Sequence, residues 1–197
     1  MNLYFLRHGV TDLNRQIIFQ GRIDTPLNDE GISQAELAAN YINKSSLKFD
    51  KIYSSPLIRA IDTCRIATGI DKAHFITDER LLEIDYGPFE GKKIFPATDE
   101  MMAFLEAPFD NEPPNGIENM KSVKGRMVGV LNDIISSSDT SDNVLISSHG
   151  IALSALFHYI YEMNNFNADT NMPKIEHAKL YYSKLSNNML TIPKLST

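Results

Sequence analysis

The segment Leu3-Tyr4-Phe5-Leu6-Arg7-His8-Gly9 places a short apolar run directly before a polar Arg-His-Gly triplet. An apolar run that stops at polar residues is typical of a buried strand followed by a loop. The pattern returns much later in the chain, where Val144-Leu145-Ile146 leads into Ser148-His149-Gly150. We therefore predict two buried strands, each of which ends beside a histidine and a glycine.

The rest of the chain alternates further strand candidates with amphipathic helices. In one helix Ile32, Ala35, Ala39 and Ile42 recur at helical spacing behind Asn28, a suitable N-cap. This alternation predicts an α/β fold with three layers, α/β/α, around a mostly parallel central sheet. Helices are predicted at 28–42, 55–67 (with Ser55 as cap and Pro56 in first position), 101–105, 117–134 and from 151 onward, and strands at 51–53, 74–77 and a C-terminal edge hairpin over 179–192.

Length and composition predict a single globular domain. The chain has 197 residues, 43% of them hydrophobic, which suits one domain with a sizeable core. Gly, Pro, Asp and Asn are frequent after Asp85. We therefore expect one domain over 1–197 with an excursion at about 85–120 that covers the substrate.

Charge and cysteine content exclude several classes of protein. The chain has 19 Lys and Arg against 25 Asp and Glu, a formal charge of −6 that disfavours nucleic acid as a partner. No apolar run is long enough for a bilayer, and the N-terminus lacks the basic stretch of a signal peptide. Cys64 is the single cysteine, so no internal disulfide and no CxxC site can form. We expect a cytoplasmic protein in which Cys64 is a buried packing residue.

Three polar segments follow predicted strands, namely Arg7-His8-Gly9, Ser54–Arg59 and Ser148-His149-Gly150. Ligands of open α/β sheets bind at the carboxyl ends of the strands, so we expect these segments to form one pocket. Two guanidinium groups suit phosphate oxygens, and a neutral imidazole can attack phosphorus to form a phosphohistidine. The pattern predicts phosphoryl transfer, and the arginines disfavour a metal ion between the histidines.

Five segments of the chain form an ordered set of motifs. They are Leu6–Asn14, Gln20–Leu27, Ser54–Ala60, Leu82–Gly91 and Ser147–Gly150. In this order they resemble the signature of the histidine phosphatase superfamily, the phosphoglycerate mutase-like proteins, over most of the chain.

The resemblance implies catalytic roles for five residues. His8 is then the nucleophile and Glu83 the proton donor, while Arg7, Arg59 and His149 bind and stabilise the phosphoryl group. On local chemistry alone, Asp85 and Glu90 are rival candidates for the acid. Three histidines match no motif and are predicted to lie on the surface or in the core, namely His74, His158 and His177.

The resemblance also implies the binding residues. Asn14, Gln20 and Gly21 match positions that touch the phosphate or the substrate. Leu13 departs from the pattern, which often has an aromatic residue before Asn14, and this leaves the substrate-side wall open. No cofactor and no metal is implied.

The net charge of the excursion favours one of two activities that the resemblance allows. Between Asp85 and Met120 there are eight acidic residues against Lys92 and Lys93, a balance that repels a phosphorylated carboxylic acid. We therefore expect a phosphomonoesterase of the histidine acid phosphatase type, acting on a phosphosugar or a nucleoside-like phosphate. The alternatives are a bisphosphoglycerate-dependent phosphoglycerate mutase and a catalytically silent phosphate-binding module. The expected partner is a small phosphate ester, with neither nucleic acid nor membrane, and the chain is expected to be a monomer or a homodimer.

Overall fold

The computed structural model describes residues 1–168, 172 and 174–196 and alternates strands with helices. The strands are β1 (Asn2–Arg7), β2 (Lys51–Ser54), β3 (Ile76–Thr77), β4 (Asn143–Ser148), β5 (Leu180–Ser186), β6 (Met189–Leu190) and β7 (Lys194–Leu195). The α-helices are α1 (Asp12–Arg15), α2 (Asp29–Lys44), α3 (Ile58–Thr68), α4 (Asp99–Glu106), α5 (Met120–Ser136) and α6 (Gly150–Met163). The predicted α/β class is confirmed.

The central sheet has the strand order β3-β2-β4-β1-β5-β6, and β7 also pairs with β5. The first four strands of this order are parallel, while β5 runs antiparallel to β1. β5 and β6 form the predicted hairpin, and its turn residues Asn187 and Asn188 both have positive φ, as type I′ turns require. The mostly parallel sheet with a C-terminal hairpin is therefore confirmed.

Helices cover both faces of this sheet. Leu3 and Phe5 of β1 pack with buried residues of α5 and α6, whereas Leu6 packs with residues of α2 and α3. Successive side chains of a strand point to opposite faces, which gives the three predicted layers. Cys64 lies in the second cluster, and burial raises the pKa of its thiol, as suits a packing residue.

The strand register brings the polar segments together. Arg7 at the end of β1 is paired with Ser148 of β4, and Ser147 of β4 is paired with Ser54 of β2. The residues that follow these strands therefore leave the sheet beside one another. This edge of the sheet holds the candidate site.

The buried stripe of α2 differs from the predicted one. Asn28 caps the helix as expected, but Ile32 is 38% exposed, and the buried positions are Gly31, Ala35, Ala38 and Ile42. A side chain at position 31 would strike the backbone of the loop after β1, so this glycine is itself a packing position. A pattern of apolar side chains does not reveal such a position, because glycine has no side chain.

The start of α3 was also predicted wrongly. The helix begins at Ile58, two residues after Pro56, and Ser55 is not its cap. Instead, Asp24 Oδ1 accepts a hydrogen bond from the Ile58 N–H at 2.7 Å. The Ser55 hydroxyl has another partner in the candidate site.

Two predicted elements in the middle of the chain have different lengths. β3 is shorter than predicted, because His74 lies in a 3-10 turn before it. The helical patch in the excursion extends over all of α4, and its Met101 and Phe104 lie in the apolar cluster that α5 and α6 share. The excursion is therefore packed onto the main core.

Candidate active site

The two strand-His-Gly segments place His8 and His149 side by side. Their ring centroids are 5.1 Å apart, and His8 is 3% exposed while His149 is fully buried. His149 Nε2 is 2.7 Å from the Ser55 hydroxyl, which also accepts a hydrogen bond from the Leu57 N–H at 3.4 Å. His149 Nδ1 has no hydrogen-bond partner within the described residues. A buried histidine pair is thus held against the end of the parallel sheet.

The tautomer of His8 follows from its hydrogen bond. His8 Nδ1 lies 2.7 Å from the Gly9 carbonyl, which can only accept, so Nδ1 carries the proton. The Gly9 N–H in turn donates to the Thr63 hydroxyl at 2.9 Å. His8 Nε2 therefore carries the lone pair, as an attacking nucleophile requires.

Burial keeps both imidazoles neutral. It lowers the pKa of His8 well below its usual range, and the neighbouring His149, Arg59 and Arg7 lower this pKa further. Burial likewise lowers the pKa of His149, and Arg59 and Arg7 add to the effect. At neutral pH the site therefore holds two uncharged imidazoles beside two guanidinium cations.

This charge state can be tested directly. Because burial and the neighbouring His149, Arg59 and Arg7 lower the pKa of His8 well below 6.5, we expect its ring to stay neutral, with the proton on Nδ1, at the pH where an ordinary histidine is half protonated. Long-range ¹⁵N–¹H spectra report both ring nitrogens, and the His8→Gln variant identifies the signals. Conversion of His8 to the imidazolium near its ordinary pKa contradicts the assignment.

Arg7 presents free donors beside His8. Its Nη1 donates to the Ile175 carbonyl at 2.6 Å, but its buried Nε has no partner within the described residues. A Cβ at Gly150 would come within 3.0 Å of the Arg7 guanidinium carbon, so glycine here lets the guanidinium lie against the start of α6. Burial lowers the pKa of Arg7, although a guanidinium stays charged at neutral pH.

Arg59 is 1% exposed and is held by the loop that precedes α2. It donates from Nη2 to the Gly21 carbonyl at 2.6 Å and from Nη1 to the Ile23 carbonyl at 2.7 Å. The Gln20 side-chain oxygen accepts from Arg59 Nε at 2.7 Å and Nη1 at 2.9 Å in the amide orientation that satisfies both partners. Burial lowers the pKa of Arg59 to about 10. Of the five N–H groups of a guanidinium, one on Nη2 is left for a ligand within the described part of the chain.

The three predicted binding residues all line the same cavity as His8. Gln20 and Gly21 hold Arg59, and the Gln20 amide nitrogen also donates to the Thr11 hydroxyl at 2.5 Å. Asn14 Oδ1 accepts from the Thr11 N–H at 3.2 Å within the capping box of α1. These residues therefore orient the cationic side of the cavity.

Glu83 lies at the N-terminus of α6 and is 9% exposed. Its carboxylate accepts from the N–H groups of Ala152 at 2.9 Å, Ile151 at 3.2 Å and Ile84 at 3.0 Å. These N–H groups and the positive end of the helix can stabilise the carboxylate that forms when Glu83 gives up a proton. Glu83 also lines the cavity that contains His8.

The two rival carboxylates are committed elsewhere. Asp85 Oδ1 accepts from the Gly87 N–H at 2.7 Å, and Glu90 Oε1 accepts from the Arg22 N–H at 2.8 Å. Neither Asp85 nor Glu90 is among the residues that line the cavity, so the acid candidate that shares it with His8 is Glu83.

The cavity has a volume of about 470 Å³. Beyond the cationic end, its wall is mostly apolar. The apolar lining residues are Ile18, Phe19, Tyr86, Ile94, Ile151, Met172 and Ile175, and Ser154 and Lys174 add polar groups. Such a cavity suits a phosphate ester with a sizeable, weakly polar body.

His177 was not predicted to belong to the site, but it lies beside His8. Its Nδ1 donates to the His8 carbonyl at 2.9 Å, and its ring lies edge-on to the His8 ring at 5.3 Å. Burial and Arg7 lower the pKa of His177 to about 4. The predicted C-terminal hairpin could have indicated this position. Its strand β5 pairs with β1 through Leu180 and Leu6, which brings the residues just before β5 next to His8.

The other two unassigned histidines lie as predicted. His74 is exposed in its 3-10 turn. His158 is a buried residue of α6 whose ring stacks on Phe109, with the centroids 3.9 Å apart.

The described residues contain neither a metal-binding cluster nor a helix suited to cross a membrane. Within the described residues, no group of three or more His, Cys, Asp or Glu side chains is arranged to hold a metal ion. No helix in this part of the chain combines the length and apolar character needed to cross a membrane.

The chain is similar to known phosphatases and to a known mutase. The profile of the histidine phosphatase superfamily (branch 1) matches residues 3–190. The chain is 35% identical to "Putative phosphoserine phosphatase 2" of Hydrogenobacter thermophilus, with 78% of this chain and 75% of that protein covered. It is 30% identical to a 2,3-bisphosphoglycerate-dependent phosphoglycerate mutase of Azorhizobium caulinodans, with 78% of each covered. A mycobacterial glucosyl-3-phosphoglycerate phosphatase solved with VO3 has a similar structure, with a TM-score of 0.83, 25% identity, and 98% of this chain and 97% of that chain covered.

Proposed function

Because the chain belongs to the histidine phosphatase superfamily (branch 1), we propose that it is a phosphomonoesterase that works through phospho-His8. The observation that carries this proposal is the hydrogen bond between His8 Nδ1 and the Gly9 carbonyl at 2.7 Å, which leaves Nε2 free to attack. Arg7, Arg59 and Glu83 line the same cavity. Nucleophile, anion-binding groups and acid are thus collected in one place.

The first step transfers the phosphoryl group to the enzyme. Arg7 and the free N–H of Arg59 hold the phosphoryl oxygens, while His149, which is fully buried and does not line the cavity, packs beside the His8 ring. His8 Nε2 attacks phosphorus as the bond to the ester oxygen breaks, and protonated Glu83 gives its proton to that oxygen. The resulting Glu83 carboxylate is stabilised by the N–H groups at the start of α6.

The second step returns the enzyme to its starting state. Glu83 removes a proton from a water molecule, which attacks phosphorus as the bond to His8 Nε2 breaks. Inorganic phosphate leaves and His8 is again neutral. The Gly9 carbonyl keeps the Nδ1 proton in place throughout, so the ring presents the same nitrogen in both steps.

The lining of the cavity favours hydrolysis over mutase activity. A mutase must retain a doubly phosphorylated intermediate, which requires cations for a second anionic group. Among the described residues that line the cavity, Lys174 is the only cation besides Arg7 and Arg59. The eight acidic residues of the excursion do not line the cavity, so they are not placed to repel a phosphorylated carboxylic acid there. The small number of cations and the apolar wall favour hydrolysis instead.

The same wall favours a nucleoside-like phosphate over a phosphosugar. A sugar offers several hydroxyl groups that need partners, and an apolar wall leaves them unpaired. Tyr86 lines the cavity and offers aromatic surface to a flat ring, and the buried Phe19 packs against it with the ring centroids 4.7 Å apart. We assign the body of the substrate to this surface.

The test is phosphate release in EDTA from nucleoside monophosphates, phosphosugars, phosphoserine, glucosyl-3-phosphoglycerate and 3-phosphoglycerate. We expect an aromatic nucleoside-like ester to be hydrolysed best. Isomerised phosphoglycerate that depends on added bisphosphoglycerate supports the mutase instead. Stoichiometric phosphate binding without turnover supports the silent binding module, and preferred hydrolysis of a sugar ester contradicts the substrate class alone.

A further inference from the structure

Arg126 on α5 lies outside the cavity, yet all five of its N–H groups have partners. Its Nη1 donates to the carbonyls of Arg80 at 2.8 Å and Leu82 at 2.5 Å, and its Nη2 donates to the Glu83 carbonyl at 3.0 Å. Its Nε and Nη2 also donate to the two carboxylate oxygens of Glu118 at 3.0 and 3.1 Å. The Arg126 side chain is 14% exposed.

The carbonyls that Arg126 binds lie outside the sheet. Arg80 and Leu81 belong to the 3-10 turn Glu79–Leu81, Leu82 and Glu83 follow it, and no sheet ladder pairs the carbonyls of these four residues. The remaining carbonyl of this stretch, that of Leu81, accepts from the Ser148 hydroxyl at 2.8 Å. Side chains from α5 and β4 therefore fix the segment that carries Glu83.

We propose that Arg126 is a positioning residue that holds the general acid Glu83 against the N-terminus of α6. The inference rests on the proposed function. A guanidinium is required, because its planar fork reaches three carbonyls and a carboxylate together, whereas an ammonium group is a single point of donation. Glu118 completes the arrangement by balancing the buried charge and accepting two of the five bonds.

The test compares two esters in Arg126→Lys. With an alkyl phosphate, whose alcohol is a poor leaving group, we expect kcat/KM to fall at least about tenfold, because a displaced acid protonates the leaving oxygen poorly. With p-nitrophenyl phosphate, which needs little protonation, we expect kcat/KM, which does not include the second step, to fall less than about threefold. Inhibition by inorganic phosphate stays near that of the wild type, because Arg7 and Arg59 are untouched.

Lys124→Met is the matched control, since Lys124 is a cation on the same helix that pairs with Glu162 at 3.1 Å. We expect it to affect both esters alike and weakly. If Arg126→Lys does not fold, Glu118→Gln takes its place, because the amide loses one bond to Arg126, and we expect the same selective loss, though smaller. In the Glu83→Gln background, Arg126→Lys should cause no further loss on the alkyl ester.

Equal losses on both esters in a folded variant, or a full additional loss in the Glu83→Gln background, overturn the role of Arg126. Assays of the wild type with the same two esters test the proposed function separately. If the wild type hydrolyses neither ester, both proposals fail, whereas an active wild type with a non-selective variant rejects only the role of Arg126.

Discussion

The His8→Ala variant is expected to lose at least about 10⁴-fold in kcat on every phosphate ester that the wild type hydrolyses. The reason is that His8 Nε2 is the attacking atom, and His149, the nearest other imidazole, is fully buried and hydrogen-bonded to Ser55. Binding of inorganic phosphate should change only a few-fold, because Arg7 and Arg59 remain. Steady-state assays and phosphate titration measure the two effects.

The matched control for this variant is His74→Ala, which removes an exposed imidazole from a 3-10 turn. It should retain wild-type activity. Thermal melting shows whether each variant is folded. A folded His8→Ala protein with full activity contradicts the mechanism outright.

The Glu83→Gln variant is expected to lose about 10²- to 10⁴-fold in kcat on alkyl phosphates, because the amide cannot give a proton to the leaving oxygen. The amide has nearly the size of the carboxyl, and its oxygen can still accept from the Ala152 N–H. The first release of p-nitrophenolate, which needs no proton, should be preserved far better, although later turnovers are slow because Glu83 is also the base of the second step. Single-turnover rates and kcat/KM with the two ester types measure this selectivity, since neither depends on the second step.

Asp85→Asn is the control for Glu83→Gln, because its Oδ1 can still accept from the Gly87 N–H. We expect it to show no selectivity between the two ester types. If Glu83→Gln loses activity equally on both esters, or if Asp85→Asn loses it selectively on the alkyl ester, another carboxylate is the acid.

The convergence of the two histidines could be predicted from the sequence because parallel strands share an edge. Apolar runs before Arg7-His8-Gly9 and Ser148-His149-Gly150 predict strands, and the chain order predicts that both ends meet. The long helix α5 could be predicted for a similar reason, since its buried residues recur at helical spacing, namely Met120, Val123, Met127, Val130, Leu131 and Ile134. Local periodicity determines such features.

The misses have a common physical cause, since each depends on a contact between distant parts of the chain. Ser55 looked like a helix cap but is bonded to His149, and Gly31 packs by virtue of having no side chain. His177 reaches His8 only because β5 pairs with β1. Nothing in the pattern around Arg126 distinguishes a partly buried guanidinium with five partners from a solvated one.

The most direct test of the mechanism is to trap the phosphorylated enzyme. In Glu83→Gln with p-nitrophenyl phosphate, the first step proceeds while the second lacks its base, so phospho-His8 should accumulate. Rapid quenching into alkali followed by peptide mapping should find one phosphoryl group per chain, on His8, with a matching burst of p-nitrophenolate. Turnover without a burst, or a phosphoryl group on another residue, contradicts the account.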